Sequence, residues 1–157
     1  MASTVAVAVV SLSLAAVLMH FLSVAIPYWD KIGNLKFGLW QVCYEECEMR
    51  EAVDQSFQIF QCLEVVGLIT GLATCIISIL STCKNVIFPH EQVLIPCLSM
   101  ISAAAILIGI IIYCVEEFTL HICFIFSLSS AAFFFFYAGY TISPPASSSS
   151  SSIDLQS

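Results

Sequence analysis

The chain has 157 residues, 60% hydrophobic and only 10% charged, and its mean hydropathy is +1.01. No soluble domain could cover that much apolar surface with so few polar side chains, so the composition excludes the water-soluble classes and points to lipid as the solvent. Four Lys or Arg against eleven Asp or Glu give a formal net charge of -7, which excludes nucleic acid as a partner.

The first apolar segment runs from Val5 to Ile26, with no ionised residue before Asp30, and is long enough to cross a hydrocarbon core of about 30 Å at about 1.5 Å per residue. A cleaved signal peptide is the competing reading, but the segment lacks a basic start, is long for such a signal, and ends in Pro27-Tyr28-Trp29, a poor cleavage site. A polar stretch from Pro27 to Gln58 follows. The second apolar segment, Ile59 to Thr82, carries one acid, Glu64; the third, Val93 to Val115, and the fourth, Ile122 to Ile142, carry none. Short connections, Cys83 to Gln92 and Glu116 to His121, separate them, and a tail follows from Ser143 to Ser157. The expected fold class is an all-α membrane protein, a four-transmembrane-helix bundle with a small extracellular β-rich loop.

An even number of spans puts both termini on one side and the long first loop on the other. Lys31, Lys36 and Arg50 all lie in that loop and only Lys84 in the second, a bias that taken alone places the first loop inside. Cys43 and Cys47, in a loop otherwise made of Trp, Gly and acids, read instead as a disulfide in an oxidising compartment, and this sets the expectation: first loop outside, both termini cytosolic, plasma membrane. Cys62, Cys75, Cys97, Cys114 and Cys123 fall in or at the ends of apolar segments, where Cys acts as a small hydrophobe. A second disulfide between Cys114 and Cys123 stays open. Cys83, beside Lys84, is a candidate for S-acylation.

Four apolar segments with Trp29, then Gly38-Leu39-Trp40, then Cys43 and Cys47 resemble the W–GLW–C–C signature of the claudin, epithelial membrane protein and peripheral myelin protein superfamily. The layout covers residues 1–142 and the motif is confined to the first loop. Tyr113, near the end of the third segment and before a very short second outer loop, is similar to the lens-membrane-protein and natural-killer-granule branches. The chain departs from claudins in the short gap between its cysteines, filled only by Tyr44, Glu45 and Glu46, and in ending on Ser157 rather than a hydrophobic residue suited to a PDZ groove. The resemblance implies that Leu35 to Tyr44 forms strand, that Cys43 and Cys47 pair across a turn, that Trp40 packs at the top of the bundle, and that Glu48 to Gln58 is a linker or short outer helix.

Read from the residues alone, Leu35, Phe37, Leu39 and Gln41 alternate with Lys36, Gly38 and Trp40, a period suited to a half-buried strand, with an irregular disulfide-held loop as the alternative. Tyr28 and Trp29 also fit plain interfacial aromatics. Gly67, Gly71 and Cys75 recur every four residues, a small-residue face that lets a neighbouring helix approach. Ser102, Ala103, Ala104, Ala105 and Gly109 suggest the same on the third segment. On the fourth, Ser127, Ser129, Ser130, Ala131 and Ala132 precede the bulky Phe133 to Phe136 run, which is expected to face lipid or a partner.

His20 and Glu64 lie about six and five residues inside the outer ends of their segments, at similar depth at about 1.5 Å per residue. They are expected either to pair with each other or to be satisfied separately, Glu64 by headgroup water and His20 by a backbone carbonyl. No GxSxG, HExxH, P-loop or GxGxxG motif occurs, and the three histidines, at positions 20, 90 and 121, are dispersed. Neither an enzyme nor a cofactor or metal site is expected. The Ser-rich tail from Ser143 reads as disordered and cytosolic. The expected partners are membrane lipids and either further copies of the chain or another membrane protein. Two roles fit: a non-enzymatic organiser of cell–cell contacts or membrane assemblies, and an auxiliary subunit of an ion channel or other large complex.

Overall fold

A computed structural model describes residues 2–50, 54–82, 91–116 and 122–142. Residues 83–90, 117–121 and 143–157 lie outside them, and with these Cys83, most of the two expected short loops and the Ser-rich tail. The described chain forms four helices, α1 (Ala2–Ala25), α2 (Gln55–Thr82), α3 (Glu91–Glu116) and α4 (Ile122–Ile142). Between α1 and α2 lie four strands, β1 (Asp30–Ile32), β2 (Leu35–Phe37), β3 (Gln41–Cys43) and β4 (Cys47–Met49).

Local chemistry sets the helix limits. α1 stops just before Pro27, whose ring lacks the N–H needed to continue the ladder. Asp54 holds the N-cap position of α2, its carbonyl accepting the first helical bond from the Gln58 N–H at 3.1 Å. Pro96 sits near the start of α3, where it costs a single intrahelical bond. α2, α3 and α4 contain stretches long and apolar enough to cross a membrane, Gln55–Thr82, Val93–Val115 and Ile122–Thr141; the apolar stretch of α1 with described side chains is the shorter Val10–Ala25.

The helices form a ring in which α1 touches α2 and α4, and α3 touches α2 and α4. Its polarity is inverted relative to a soluble bundle. Outward positions carry large apolar side chains such as Phe21, Ile69, Ile111 and Phe136, while His20, Glu64, Thr74, Ser99, Ser102 and Ser130 are fully buried. An apolar exterior with the polar side chains kept inside is the arrangement a lipid solvent favours. Among the described residues, each neighbouring helix pair is joined by one buried side chain bonding to a backbone carbonyl. Ser102 Oγ donates to Gly67 O at 2.7 Å (α3–α2) and Ser99 Oγ to Phe134 O at 2.8 Å (α3–α4). Ser130 Oγ donates to Ala16 O at 2.9 Å (α4–α1), and His20 Nε2 to Glu64 O at 2.9 Å (α1–α2).

Two apolar clusters fill the ring. One gathers Ala16, Cys75, Ala103, Ile106, Ala131 and Phe134; the other, at the sheet end, gathers Val24, Trp29, Leu39, Phe60, Tyr113 and Cys123. The small-residue faces turn inward. Gly67 and Gly71 are buried, and a Cβ on Gly67 would lie 2.6 Å from Ile106 Cγ1, one on Gly71 2.6 Å from Phe134 Cζ. On α3, Ser102, Ala103, Ala105 and Gly109 are buried while Ala104 is exposed. The expectation that the Phe133–Phe136 run faces lipid fails at Phe134, which is fully buried because Gly71, diagonally across the bundle, leaves a hollow for its ring. Phe136 does face outward.

The sheet is an antiparallel meander in the order β1-β2-β3-β4. Gly33 adopts φ 62°, as the two-residue turn joining Ile32 to Leu35 requires. The single strand expected over Leu35–Tyr44 is instead a hairpin, β2 and β3 pairing Phe37 with Val42 and Lys36 with Cys43 around a turn at Gly38–Trp40. The expected linker or outer helix after Cys47 is also corrected, since Cys47–Met49 is β4, paired with β3, and α2 begins at Gln55.

Candidate functional site

The junction between sheet and bundle is built around Trp29. Pro27 stands four residues after Ser23 and offers no N–H to the Ser23 carbonyl, which would otherwise be orphaned at the end of α1. The Trp29 indole supplies the missing donor: Nε1–H bonds to Ser23 O at 2.7 Å. The Trp29 backbone N–H extends the sheet by donating to Phe37 O at 2.9 Å, and its carbonyl accepts from Tyr113 Oη at 2.9 Å. Its ring meets Phe60 and Tyr113 edge-on, with centroids 4.9 and 5.3 Å away, geometries that add to simple burial.

The rest of the motif follows. A Cβ on Gly38 would lie 2.7 Å from Pro27 Cα, so only glycine lets the β2 end cross the α1 exit. Leu39 is buried beside Trp29, and its carbonyl accepts from Gln61 Nε2 of α2. Trp40, expected at the top of the bundle, is 38% exposed; Trp29 and Leu39, each 1% exposed, occupy that place. The turn that buries Leu39 directs the next side chain outward. Arg50 closes the far side, its N–H bonding to Trp40 O at 2.9 Å and its guanidinium lying 3.9 Å from the Phe57 ring centre.

Cys43 and Cys47 face each other across β3 and β4 and form a disulfide, with Cα atoms 4.1 Å apart. Around it the sheet exposes Tyr44 and Met49 (62% and 76%) together with Glu45, Glu46 and Glu48, while Ile32 is exposed on the opposite edge. The platform is thus fixed at its root and apolar and acidic at its rim. Cys114 and Cys123 are free thiols, Cys123 lying 3.5 Å from Ile26 O.

A second constellation lies within the bundle. His20 and Ser127 each stand one helical turn from both apolar clusters, between Val17 and Val24 and between Cys123 and Ala131, and Glu64 stands one turn from Phe60 of the sheet-end cluster. The structure brings His20 and Glu64 together: His20 Nδ1 lies 3.6 Å from Glu64 Oε2, and both side chains are fully buried. Of the two arrangements expected, it combines the contact with Glu64 and the backbone bond of His20, and excludes headgroup water at Glu64. Ser127 Oγ lies 2.9 Å from Glu64 Oε2, 2.9 Å from Ser23 Oγ and 3.4 Å from His20 Nδ1, and Ser23 Oγ donates to His20 O at 2.8 Å. Glu64 Oε1 has no hydrogen-bond partner and lies against Gly109 of α3. Sequence reasoning missed Ser23 and Ser127, because a serine in an apolar helix reads equally well as a small packing residue. The signal available was the spacing of Ser23 three residues from His20 on one face.

Among the described residues no three His, Cys, Asp or Glu side chains cluster as a metal ion would require. No family model matches the chain, and no curated protein matches it either.

Proposed function

We propose that the chain is a four-span membrane protein of the claudin, epithelial membrane protein and peripheral myelin protein type, non-enzymatic, which organises cell–cell contacts or membrane assemblies in the plasma membrane. The observation that carries this reading is the rigid platform: a disulfide-clamped sheet plugged into one end of an apolar-surfaced bundle by Trp29 and Leu39, with Tyr44, Met49 and the neighbouring acids left free at its rim. A rim of exposed apolar and charged side chains on a fixed scaffold suits contact with another protein. α1 supports the fourth span, since 24 residues extend about 36 Å at about 1.5 Å each, against a core of about 30 Å.

In this reading residues 30–58 are extracellular and the termini and residues 84–92 cytosolic. The Lys and Arg distribution pulls the other way, but three residues near the spans are a weak electrostatic bias, whereas a disulfide does not persist in a reducing cytosol. The alternative role, an auxiliary subunit of a channel or other complex, draws on the outward aromatic side chains Phe136 and Tyr140 near the end of α4, which suit a lateral partner.

The test is expression in non-adherent cells of the wild type and of a Tyr44→Asp/Met49→Asp double variant. Enrichment at cell borders that the double variant loses, at equal surface level, supports the contact role. Absence of border enrichment, with a stoichiometric channel recovered on native purification, replaces it with the auxiliary one.

A further inference from the structure

The buried cluster of His20, Ser23, Glu64 and Ser127 can be resolved by counting hydrogens. The His20 Nε2 contact with Glu64 O needs its hydrogen on the imidazole, because a carbonyl has none to give. The Ser23 contact with His20 O uses the only hydroxyl hydrogen of Ser23 for the same reason. The 2.9 Å contact between the two serines must then use the hydroxyl hydrogen of Ser127. That leaves the 2.9 Å contact between Ser127 Oγ and Glu64 Oε2 without a hydrogen, unless Glu64 carries one.

We infer that the bundle contains a built-in proton-binding site. Glu64 is held as a neutral carboxylic acid whose Oε2–H donates to Ser127, completing a directed chain from Glu64 through Ser127 and Ser23 to the His20 carbonyl. The imidazole of His20 stays neutral, donates through Nε2 to the Glu64 backbone, and keeps Nδ1 free of a proton. The ionic alternative, imidazolium facing carboxylate, leaves one of the 2.8–2.9 Å contacts without a hydrogen and depends on the longer approaches of Nδ1, 3.4 Å to Ser127 and 3.6 Å to Glu64.

The orphaned Oε1 fits the neutral form. A carboxylate would leave an unpaired charged oxygen against Gly109, whereas the carbonyl oxygen of an acid is far less costly to bury there and can accept a weak contact from the Gly109 α-hydrogen. Each element packed on the acid is accounted for. α1 presents His20, α4 presents Ser127, and α3 presents the Gly109 backbone, with Glu91 and Glu116 occupying the first and last positions of that helix. Tyr113 is turned away, its hydroxyl bonded to Trp29. The site is independent of membrane orientation and of the role of the sheet.

Infrared spectroscopy of the purified full chain at neutral pH, with glutamate carrying a 13C carboxyl label, tests this. A protonated-carboxyl C=O band, shifted by the label and lost in Glu64→Gln, is expected. Labelling glutamate alone excludes the buried Asp30 as its source. Ser127→Ala removes the acceptor of the Glu64 O–H, so the band should move to higher frequency; this variant also makes the assignment should Glu64→Gln fail to fold. A labelled protein showing only carboxylate bands overturns the inference, as does a C=O band that Ser127→Ala leaves in place.

Discussion

Gly71 is the point at which added bulk has the most defined consequence. A Cβ there would stand 2.6 Å from Phe134 Cζ, 3.1 Å from Phe134 Cε2 and 3.1 Å from Ser102 Oγ. Carbon atoms pack at about 3.5–4.0 Å, so even Gly71→Ala demands roughly 1 Å of displacement. Phe134 cannot swing aside freely, being fully exposed to no solvent and packed in the cluster with Ala103, Ile106 and Ala131. α2 and α4 must therefore separate, or the ring must leave its rotamer. Overpacking of this kind costs about 1–3 kcal/mol, and at about 2–4 °C per kcal/mol for a chain of this size the thermal midpoint in detergent should fall by roughly 2–12 °C. Gly71→Leu should fall further. The cause is isolated by Phe134→Leu: it loses ring contacts on its own, but combined with Gly71→Ala it should cost less than the sum of the two single changes, because the shorter side chain vacates the space the methyl needs. A midpoint for Gly71→Ala equal to wild type, or strict additivity in the double variant, would refute the packing assigned to the centre of the bundle.

Three further outcomes follow from the junction. Trp29→Phe leaves the Ser23 carbonyl without its indole donor and should cost about 1–3 kcal/mol, whereas Trp40→Phe, at a partly exposed position, should stay within about 0.5 kcal/mol; both are read as thermal midpoints in one detergent. Gly38→Ala drives a methyl into the Pro27 backbone and should abolish surface expression, while Gly139→Ala, whose Cβ would meet nothing within 4 Å, should leave it unchanged. Replacing Cys43 and Cys47 together by Ser removes a crosslink over a very short loop, for which chain entropy gives only about 2 kcal/mol, so the bundle should still fold; intact-mass alkylation of the wild type should show this pair protected until reductant is added.

The elements easiest to read from sequence were those with a single dominant signal. Long apolar runs locate α2, α3 and α4 to within a few residues, and His20 and Glu64 stand out as the polar side chains too costly to leave unexplained. The strand over Leu35–Tyr44 misled because alternation continues unbroken through Leu39 and Gln41. What breaks it is tertiary: Gly38 permits the crossing over Pro27, Leu39 is drawn into the apolar cluster, and its carbonyl is taken by Gln61. The resemblance implies a Trp40 packed at the top of the bundle, but only the turn decides which of two neighbours points in, and it turns Leu39 inward. Phe134 could not be told from Phe136 within a run of four phenylalanines, because its socket at Gly71 lies on another helix.

The four side-chain bonds to backbone carbonyls explain how one packing is selected in a solvent that gives helices little reason to associate. In lipid, burying apolar surface between helices gains almost nothing, and each polar contact contributes about 0.6 kcal/mol on average, so the four together supply roughly 2–3 kcal/mol, a modest sum beside the close packing at Gly67 and Gly71. Their effect is in register. A slip of one residue turns a helix by about 100° and moves it about 1.5 Å, which would carry Ser99, Ser102, Ser130 or His20 away from its carbonyl and leave a polar group facing hydrocarbon. Because the four bonds close a ring, a slip in one helix breaks the bonds to both of its neighbours. α1 is held twice over, by His20 and by the Ser130 contact at Ala16, and it also carries the Ser23 carbonyl that Trp29 caps. The orientation of the sheet is thereby tied to the register of the whole bundle, so the surface that Tyr44 and Met49 present depends on polar contacts buried far below it.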